Sequence, residues 1–100
     1  MSGETAGAVL RLPEDFDEYG WEVESKGYFH DAVVDYFGET YHLAFYDAAR
    51  LAQDVDAELP GGLVLMPANL VVVEQVTRSA MEDAVRRLFA GASHPWLRAD

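Results

Sequence analysis

The chain has 100 residues, the length of one domain, and half of them are hydrophobic, which excludes an intrinsically disordered acidic chain. It contains no cysteine, which excludes disulfides, thiolate metal sites and a cysteine nucleophile. Its net charge of −11 opposes binding to nucleic acid and to anionic membrane surfaces, and no apolar run reaches the roughly 18 residues of a membrane span. The first residues lack the order of a secretory signal, so we expect a cytoplasmic protein with no nucleic-acid or membrane partner.

The negative charge is confined to the first 58 residues. Fourteen acidic side chains there face three basic ones, whereas residues 59–100 hold four of each. Acidity that serves only solubility should be spread over the whole surface. The asymmetry therefore indicates a surface that attracts cations or a basic protein.

The N-terminal part of the chain carries most of the clustered acids. Residues 1–12 are predicted to be flexible, and a single domain is predicted over residues 13–91. Residues 13–24 contain six acids and no base. Residues 20–24 alternate apolar and charged side chains, which predicts a half-buried strand with Trp21 on its apolar face.

A β-hairpin is predicted next. Residues 28–37 and 41–47 form its arms, and Gly38-Glu39 suits a type II′ turn that sets Asp35 opposite His42. Pairing the strand at residues 20–24 with this hairpin predicts one acidic face of the sheet. The polar members of that face are Glu22, Glu24, Asp31, Asp35 and His42.

A helix follows the hairpin. Asp47 is predicted to cap a helix over residues 48–58, because apolar side chains recur there at helical spacing. Residues 63–66 predict an edge strand or the approach to one, and residues 70–76 predict a central strand buried on both sides.

A second helix is predicted near the C-terminus. Thr77 or Ser79 caps it, it ends near residue 90, and residues 92–100 form a tail. Together the elements predict an α+β fold, a two-layer sandwich with a mostly antiparallel sheet of four or five strands. The predicted order is β-β-β-α-β(-β)-α, with two helices on one face and the acidic face left open.

Two acidic groups are candidates for binding. The acidic sheet face has ligand types that suit a divalent cation, but it matches no metal motif, so a solvated face is the preferred interpretation and no metal site is predicted. Asp54, Asp56 and Glu58 crowd the C-terminal half of the first predicted helix, where the helix dipole disfavours negative charge. No phosphate-binding loop, nucleophile elbow or zinc-protease motif is present, so we predict no catalytic residue and no cofactor.

The leading hypothesis is a small non-enzymatic protein-binding module, such as an inhibitor, an immunity or antitoxin-like protein or an adaptor. Its acidic N-terminal half would engage a basic partner protein. The predicted binding residues are Glu22, Glu24, Asp31, Asp35, His42, Asp54, Asp56 and Glu58. One alternative is a structural homodimer or assembly subunit, joined through the open sheet face or residues 63–66. The other is a small metal- or ligand-dependent enzyme that uses Asp31, Asp35 and His42.

Overall fold

The framework of the molecule is a four-stranded sheet with three helices. The computed structural model describes residues 7–90 and 97–99. In chain order the elements are β1 (Ala8–Arg11), α1 (Phe16–Lys26), β2 (Tyr28–Tyr36), β3 (Glu39–Asp47), α2 (Ala48–Glu58), a 3-10 turn (Leu59–Gly61), β4 (Leu70–Val73) and α3 (Arg78–Ala90).

The strands lie in the order β1-β2-β3-β4. The first three are antiparallel neighbours, and β4 is parallel to β3. The predicted class, an α+β two-layer sandwich with a mostly antiparallel sheet, is confirmed. None of the described helices is long and apolar enough to cross a membrane.

The first strand of the sheet is β1, which falls within the residues predicted to be flexible. Ala8 pairs with Tyr36 and Arg11 with Val33, so β1 is the edge strand beside β2. Residues 1–6 lie outside the described part of the chain.

The predicted strand at residues 20–24 is wrong, because these residues belong to α1. Phe16, Tyr19 and Val23 recur at helical spacing, and this longer pattern prevails over five residues of alternation. Gly27 ends the helix in the left-handed region, with φ 81°, and its N–H donates to the carbonyl of Val23 at 2.9 Å.

The hairpin turn is one residue earlier than predicted. Tyr36 pairs with Glu39, so the turn residues are Phe37 and Gly38, with φ values of 48° and 84°. Positive φ at both positions defines a type I′ turn. The register differs from the predicted one by two residues, so the side chains between Ala32 and Tyr36 keep their predicted faces, but Asp35 lies opposite Thr40 instead of His42.

A β-bulge interrupts β2 between Phe29 and Ala32. Strict alternation would put His30 on the core face with Ala32, but the extra residue turns Phe29 inward and leaves His30 exposed. Phe29 then packs edge-on against Phe16 of α1, with ring centroids 5.2 Å apart.

The main core lies between one face of the sheet and two helices, α1 and α3. The helices contribute five buried side chains, which are Phe16, Val23, Met81, Val85 and Phe89. They pack against Ala32, Val34, Leu43 and Phe45 of the sheet. The bounds of α2 and its N-cap are as predicted, since the Asp47 carboxylate accepts from the N–H of Arg50 at 2.7 Å. However, α2 has no buried residue. The helix that covers this face together with α3 is α1, although α2 was predicted to lie there.

The remaining predicted elements are shorter than expected. Residues 63–66 form no strand, and β4 ends at Val73. Thr77 caps α3, because its hydroxyl accepts from the N–H of Ala80 at 3.2 Å. Of the predicted tail, residues 97–99 are described: Leu97 joins the core, and Arg98 exchanges backbone hydrogen bonds with the buried side chain of Asn69.

Candidate protein-binding surface

The outward side of α1 exposes a tryptophan. Trp21 is 72% exposed, although burial of a tryptophan stabilises a fold more than burial of most residues. Because Phe16 and Val23 direct the inward side of α1 into the core, Trp21 points away from it. The sequence interpretation missed this residue because it read residues 20–24 as a strand. The helical spacing of Phe16, Tyr19 and Val23 is the signal that could have placed it.

The acids of residues 13–24 surround this tryptophan. All six are exposed: Glu14, Asp15, Asp17, Glu18, Glu22 and Glu24. Asp17 pairs with Arg78 of α3 at 3.0 Å, and Glu22 lies 3.9 Å from Lys26. The other four make no ion pair within 4.0 Å to any residue that the structure describes. We call Trp21 together with these six acids the α1 surface.

A groove of about 390 Å³ lies beside the α1 surface, between α1 and the start of β2. Its lining includes Glu22 and Asp31, so the structure brings two of the predicted binding residues together here. Tyr19 also lines it, and burial raises the pKa of its hydroxyl, with the charges of Asp15 and Asp31 acting in the same direction. Lys26, which lies 3.9 Å from Glu22, lines the groove as well, so the groove holds one cation beside the carboxylates of Glu22 and Asp31.

The acidic sheet face predicted from the sequence does not form. Glu22 and Glu24 lie on α1, because the residues predicted to be the first strand are helical. Asp35 does lie on the sheet, where its carboxylate accepts from Nε of Arg11 at 2.5 Å, from Nη2 of Arg11 at 3.1 Å and from the hydroxyl of Thr40 at 3.2 Å. His42 is exposed opposite Val33.

The Arg11 guanidinium lowers the pKa of Asp35, chiefly through this hydrogen bond. An arginine on β1, an element that the sequence analysis did not identify, thus neutralises the central acid of the predicted face. Asp35 is therefore a structural partner of Arg11 rather than a free charge for a ligand.

The acids of α2 form a separate group. Asp54 accepts from Nε of Arg50 at 3.0 Å, and the Arg50 guanidinium lies 4.5 Å from the ring centre of Tyr28. This favourable i, i+4 pair offsets part of the unfavourable charge at the end of the helix. Asp56 and Glu58 are exposed, whereas Asp54 is half-buried.

An aromatic cluster lies between α2 and the sheet. Nε2 of His30 and the hydroxyl of Tyr46 are 2.9 Å apart, and the Tyr28 and Tyr46 rings stack with centroids 6.1 Å apart. Burial raises the pKa of Tyr46, and the nearby charge of Asp54 raises it further. The sequence analysis did not predict this cluster. It holds α2 against the sheet, and its side chains contact one another.

Metal-binding chemistry finds no geometric support among residues 7–90 and 97–99. No three histidine or acidic side chains in these ranges lie together in a way that could hold a metal ion. In particular, Asp31 lines the groove beside α1, whereas Asp35 is bound to Arg11. The arrangement proposed for an enzyme that uses Asp31, Asp35 and His42 is not present in the described part of the molecule.

Comparison with known proteins gives no relative. No protein-family model, no curated protein and no solved structure matches this chain.

Proposed function

We propose that this protein is a small non-enzymatic binding module that engages a basic partner protein through the α1 surface. An inhibitor, an immunity or antitoxin-like neutraliser and an assembly adaptor all work in this way. The observation that carries the proposal is the exposed Trp21 among six exposed acids, four of which lack an ion-pair partner in the described part of the chain.

Trp21 supplies the anchor in this proposal. Tryptophan, tyrosine and arginine dominate binding hot spots, and a tryptophan ring that remains in water contributes little to the stability of its own fold. Its face is also the best side-chain acceptor for the guanidinium or ammonium group of a basic partner. An exposed tryptophan on a helix that packs through Phe16, Tyr19 and Val23 is therefore explained better by binding than by folding.

The carboxylates supply steering and specificity. α1 bends at Tyr19, whose backbone is not helical (φ −130°), and four of the acids lie on it no more than four residues apart. Charges on neighbouring helical turns, about 5.4 Å apart, lie within the Debye length of about 8 Å at physiological salt. Their fields add, which speeds the approach of a basic surface and repels an acidic one. Asp31, across the groove from Glu22, extends the same field. The more distant Asp56 and Glu58 on α2 add to the net charge rather than to the contact.

The proposal is tested by capture and kinetics. The protein is immobilised, proteins from the source cells are bound at about 50 mM salt, and a gradient to about 500 mM elutes them. Association rates are then measured with the purified partner. We expect a basic protein whose association rate falls steeply as salt rises. A rate that does not change over this range would remove the electrostatic part of the proposal.

Matched variants locate the contact. Trp21→Ala should weaken binding by at least about tenfold, whereas Phe37→Ala, which removes an equally exposed ring (77%) from the hairpin tip, should not. Glu18→Gln with Glu24→Gln should slow association, whereas Glu74→Gln with Glu82→Gln, which removes the same charge from the neutral half of the chain, should leave the rate nearly unchanged. Equal effects of the paired variants would place the contact elsewhere.

A further inference from the structure

The outer edge of β4 presents hydrogen-bonding groups to solvent. β4 is the last strand of the sheet, and its only described neighbour is β3. The carbonyl of Asn69 accepts from the N–H of Ala44 at 3.1 Å. Because backbone groups alternate in direction along a strand, Val71 and Val73 also face β3, whereas the N–H and C=O groups of Leu70 and Val72 point outward.

This edge lacks most of the usual protection. Natural edge strands are protected by lysine, proline, a bulge or a very short length. β4 has only the last of these, because its four residues are one leucine and three valines in regular register. Within residues 7–90 and 97–99 no other strand lies beside it. An apolar edge of this kind is suited to pairing with another strand.

Exposed apolar side chains lie on β4 and in the segment that precedes it. Val72 is 49% exposed, and Leu63 and Leu65, in the segment that leads into β4, are 65% and 75% exposed. A groove of about 420 Å³ runs along β4 between the strand and α3, and its lining includes Ala84 and Leu88. These side chains add apolar area to the hydrogen bonds that the edge can form.

The distribution of charge along the chain indicates what pairs with this edge. The chain carries −11 overall, but residues 59–100, which contain β4, α3 and the exposed leucines, sum to zero. Two copies can therefore approach each other here with the least repulsion. The groove is lined by Asp83 and Arg87, which pair at 3.0 Å within α3. A twofold axis that brings two α3 helices together can set Asp83 of one copy beside Arg87 of the other, which is a self-complementary arrangement.

We propose that β4 pairs in antiparallel fashion with β4 of a second copy, so that two sheets join into one of eight strands. Leu70 of one copy lies opposite Val72 of the other, and Val71 lies at the twofold axis. A stable interface buries about 800 Å² per partner, roughly one-eighth of the 6249 Å² surface of the chain. The four-residue strand is too short to bury this area, so Leu63, Leu65 and the groove along α3 complete the interface. No residue of the α1 surface takes part, so the dimer carries two such surfaces.

The test is the mass of the full chain in solution. Sedimentation is measured from about 1 to 300 μM, a range that spans a micromolar Kd. We expect the mass to approach twice the 11.1 kDa of one chain as concentration rises. A mass of one chain at every concentration overturns the proposal, whether the edge stays open or another segment covers it.

Two matched variants identify the edge. Val72→Lys places a charge on the β4 edge and should weaken the dimer at least about tenfold, because lysine on an edge strand opposes pairing. Val9→Lys makes the same change on β1, the opposite edge, at a valine of similar exposure (51%), and should leave the dimer intact. A dimer that survives Val72→Lys, or that Val9→Lys also disrupts, overturns the assignment.

Hydrogen exchange of the unmodified protein provides a readout that needs no variant. The N–H groups of Leu70 and Val72 should become protected as concentration rises, because each donates across the interface. Exchange at these two positions that is equally fast at low and high concentration overturns the proposed pairing. None of these experiments uses the basic partner. A failure of the proposed dimer can therefore be distinguished from a failure of the proposed function.

Discussion

Gly27 joins α1 to β2 and packs against the start of α2, and its replacement by alanine should be among the most destabilising single changes in the chain. A Cβ at this position would lie 2.7 Å from Oδ2 and 2.9 Å from Oδ1 of Asp47, and 2.9 Å from Cβ of Arg50. The Asp47 carboxylate is the N-cap of α2. The backbone N–H of Asp47 donates to the carbonyl of Gly27 at 2.9 Å. The methyl group therefore cannot enter without displacing the cap.

The magnitude follows from three contributions. A left-handed φ of 81° costs an alanine about 1–2 kcal/mol, and displacement of the N-cap costs about 1 kcal/mol. Crowding of atoms that cannot relax adds about 1–3 kcal/mol. We expect Gly27→Ala to lower the free energy of unfolding by about 3–6 kcal/mol, a large part of the 5–15 kcal/mol that stabilises a typical domain.

Urea unfolding followed by circular dichroism measures this loss, and Gly38→Ala is the matched control. Gly38 has nearly the same φ, 84°, but no heavy atom lies within 4 Å of its Cβ position, so only the backbone cost of about 1–2 kcal/mol applies. Asp47→Ala, made in the Gly27→Ala background, should cost less than in the parent protein, because the clash is then removed. Equal costs for Gly27→Ala and Gly38→Ala would refute the proposed crowding at Asp47.

Two further predictions concern the sheet and the core. Asp35→Asn should lower the urea midpoint at pH 7 through loss of the bond to Arg11. The pKa of Asp35 in the folded protein is below its usual 3.8, so the bond stabilises the fold fully above pH 3.8 and is lost as pH falls through the folded pKa. A difference in urea midpoint between the variant and the parent that persists below the folded pKa would contradict this prediction. Phe89→Ala should lower the free energy of unfolding in urea by about 3–5 kcal/mol, because the ring is fully buried. Its centroid lies 4.8 Å from that of the Tyr36 ring and 5.3 Å from that of the Tyr41 ring. A loss below about 1.5 kcal/mol would show that the surrounding side chains collapse into the cavity.

The elements that sequence analysis predicted correctly are those fixed by local signals. The helix after the hairpin begins at Ala48 and ends at Glu58, because Asp47 caps it and Pro60 with two glycines follows. The faces of the hairpin were also predicted outside the β-bulge, since alternation along each strand determines them, but the bulge exchanges the faces of Phe29 and His30. Both signals act within a few residues of the structure that they specify.

The element that was mispredicted carried two competing local signals. Residues 20–24 alternate like a strand, and Gly27 can serve either a hairpin turn or the end of a helix. The contact of Phe16 with Phe29 settles the competition, because it requires α1 to lie across the sheet. Since that contact joins residues far apart in the sequence, no local pattern contains it. The exposure of Trp21, and with it the candidate binding surface, follows from this one element.

The prediction of an acidic sheet face was wrong for a different reason. A contact between distant parts of the chain neutralises its central acid, Asp35. The pairing of β1 with β2 brings Arg11 to Asp35, and the type I′ turn moves Asp35 away from His42. Both results depend on which edge each strand occupies. Charge counted along the sequence therefore indicated the acidic half of the chain correctly but not which acids remain unpaired.

The charge asymmetry has a sharper consequence once the exposed apolar side chains are placed. Trp21 is surrounded by carboxylates, so two copies of the α1 surface repel each other, and a tryptophan in that setting favours a basic partner over its own twin. Val72, Leu63 and Leu65 lie in the half of the chain that is neutral overall, where two copies meet without this penalty. We infer that the same pattern of charge favours a basic protein at one apolar surface and self-association at the other. Reversing the charge of the basic partner should abolish its binding to the α1 surface and leave self-association unchanged, because the distribution of charge, rather than apolar area, distinguishes the two proposed contacts.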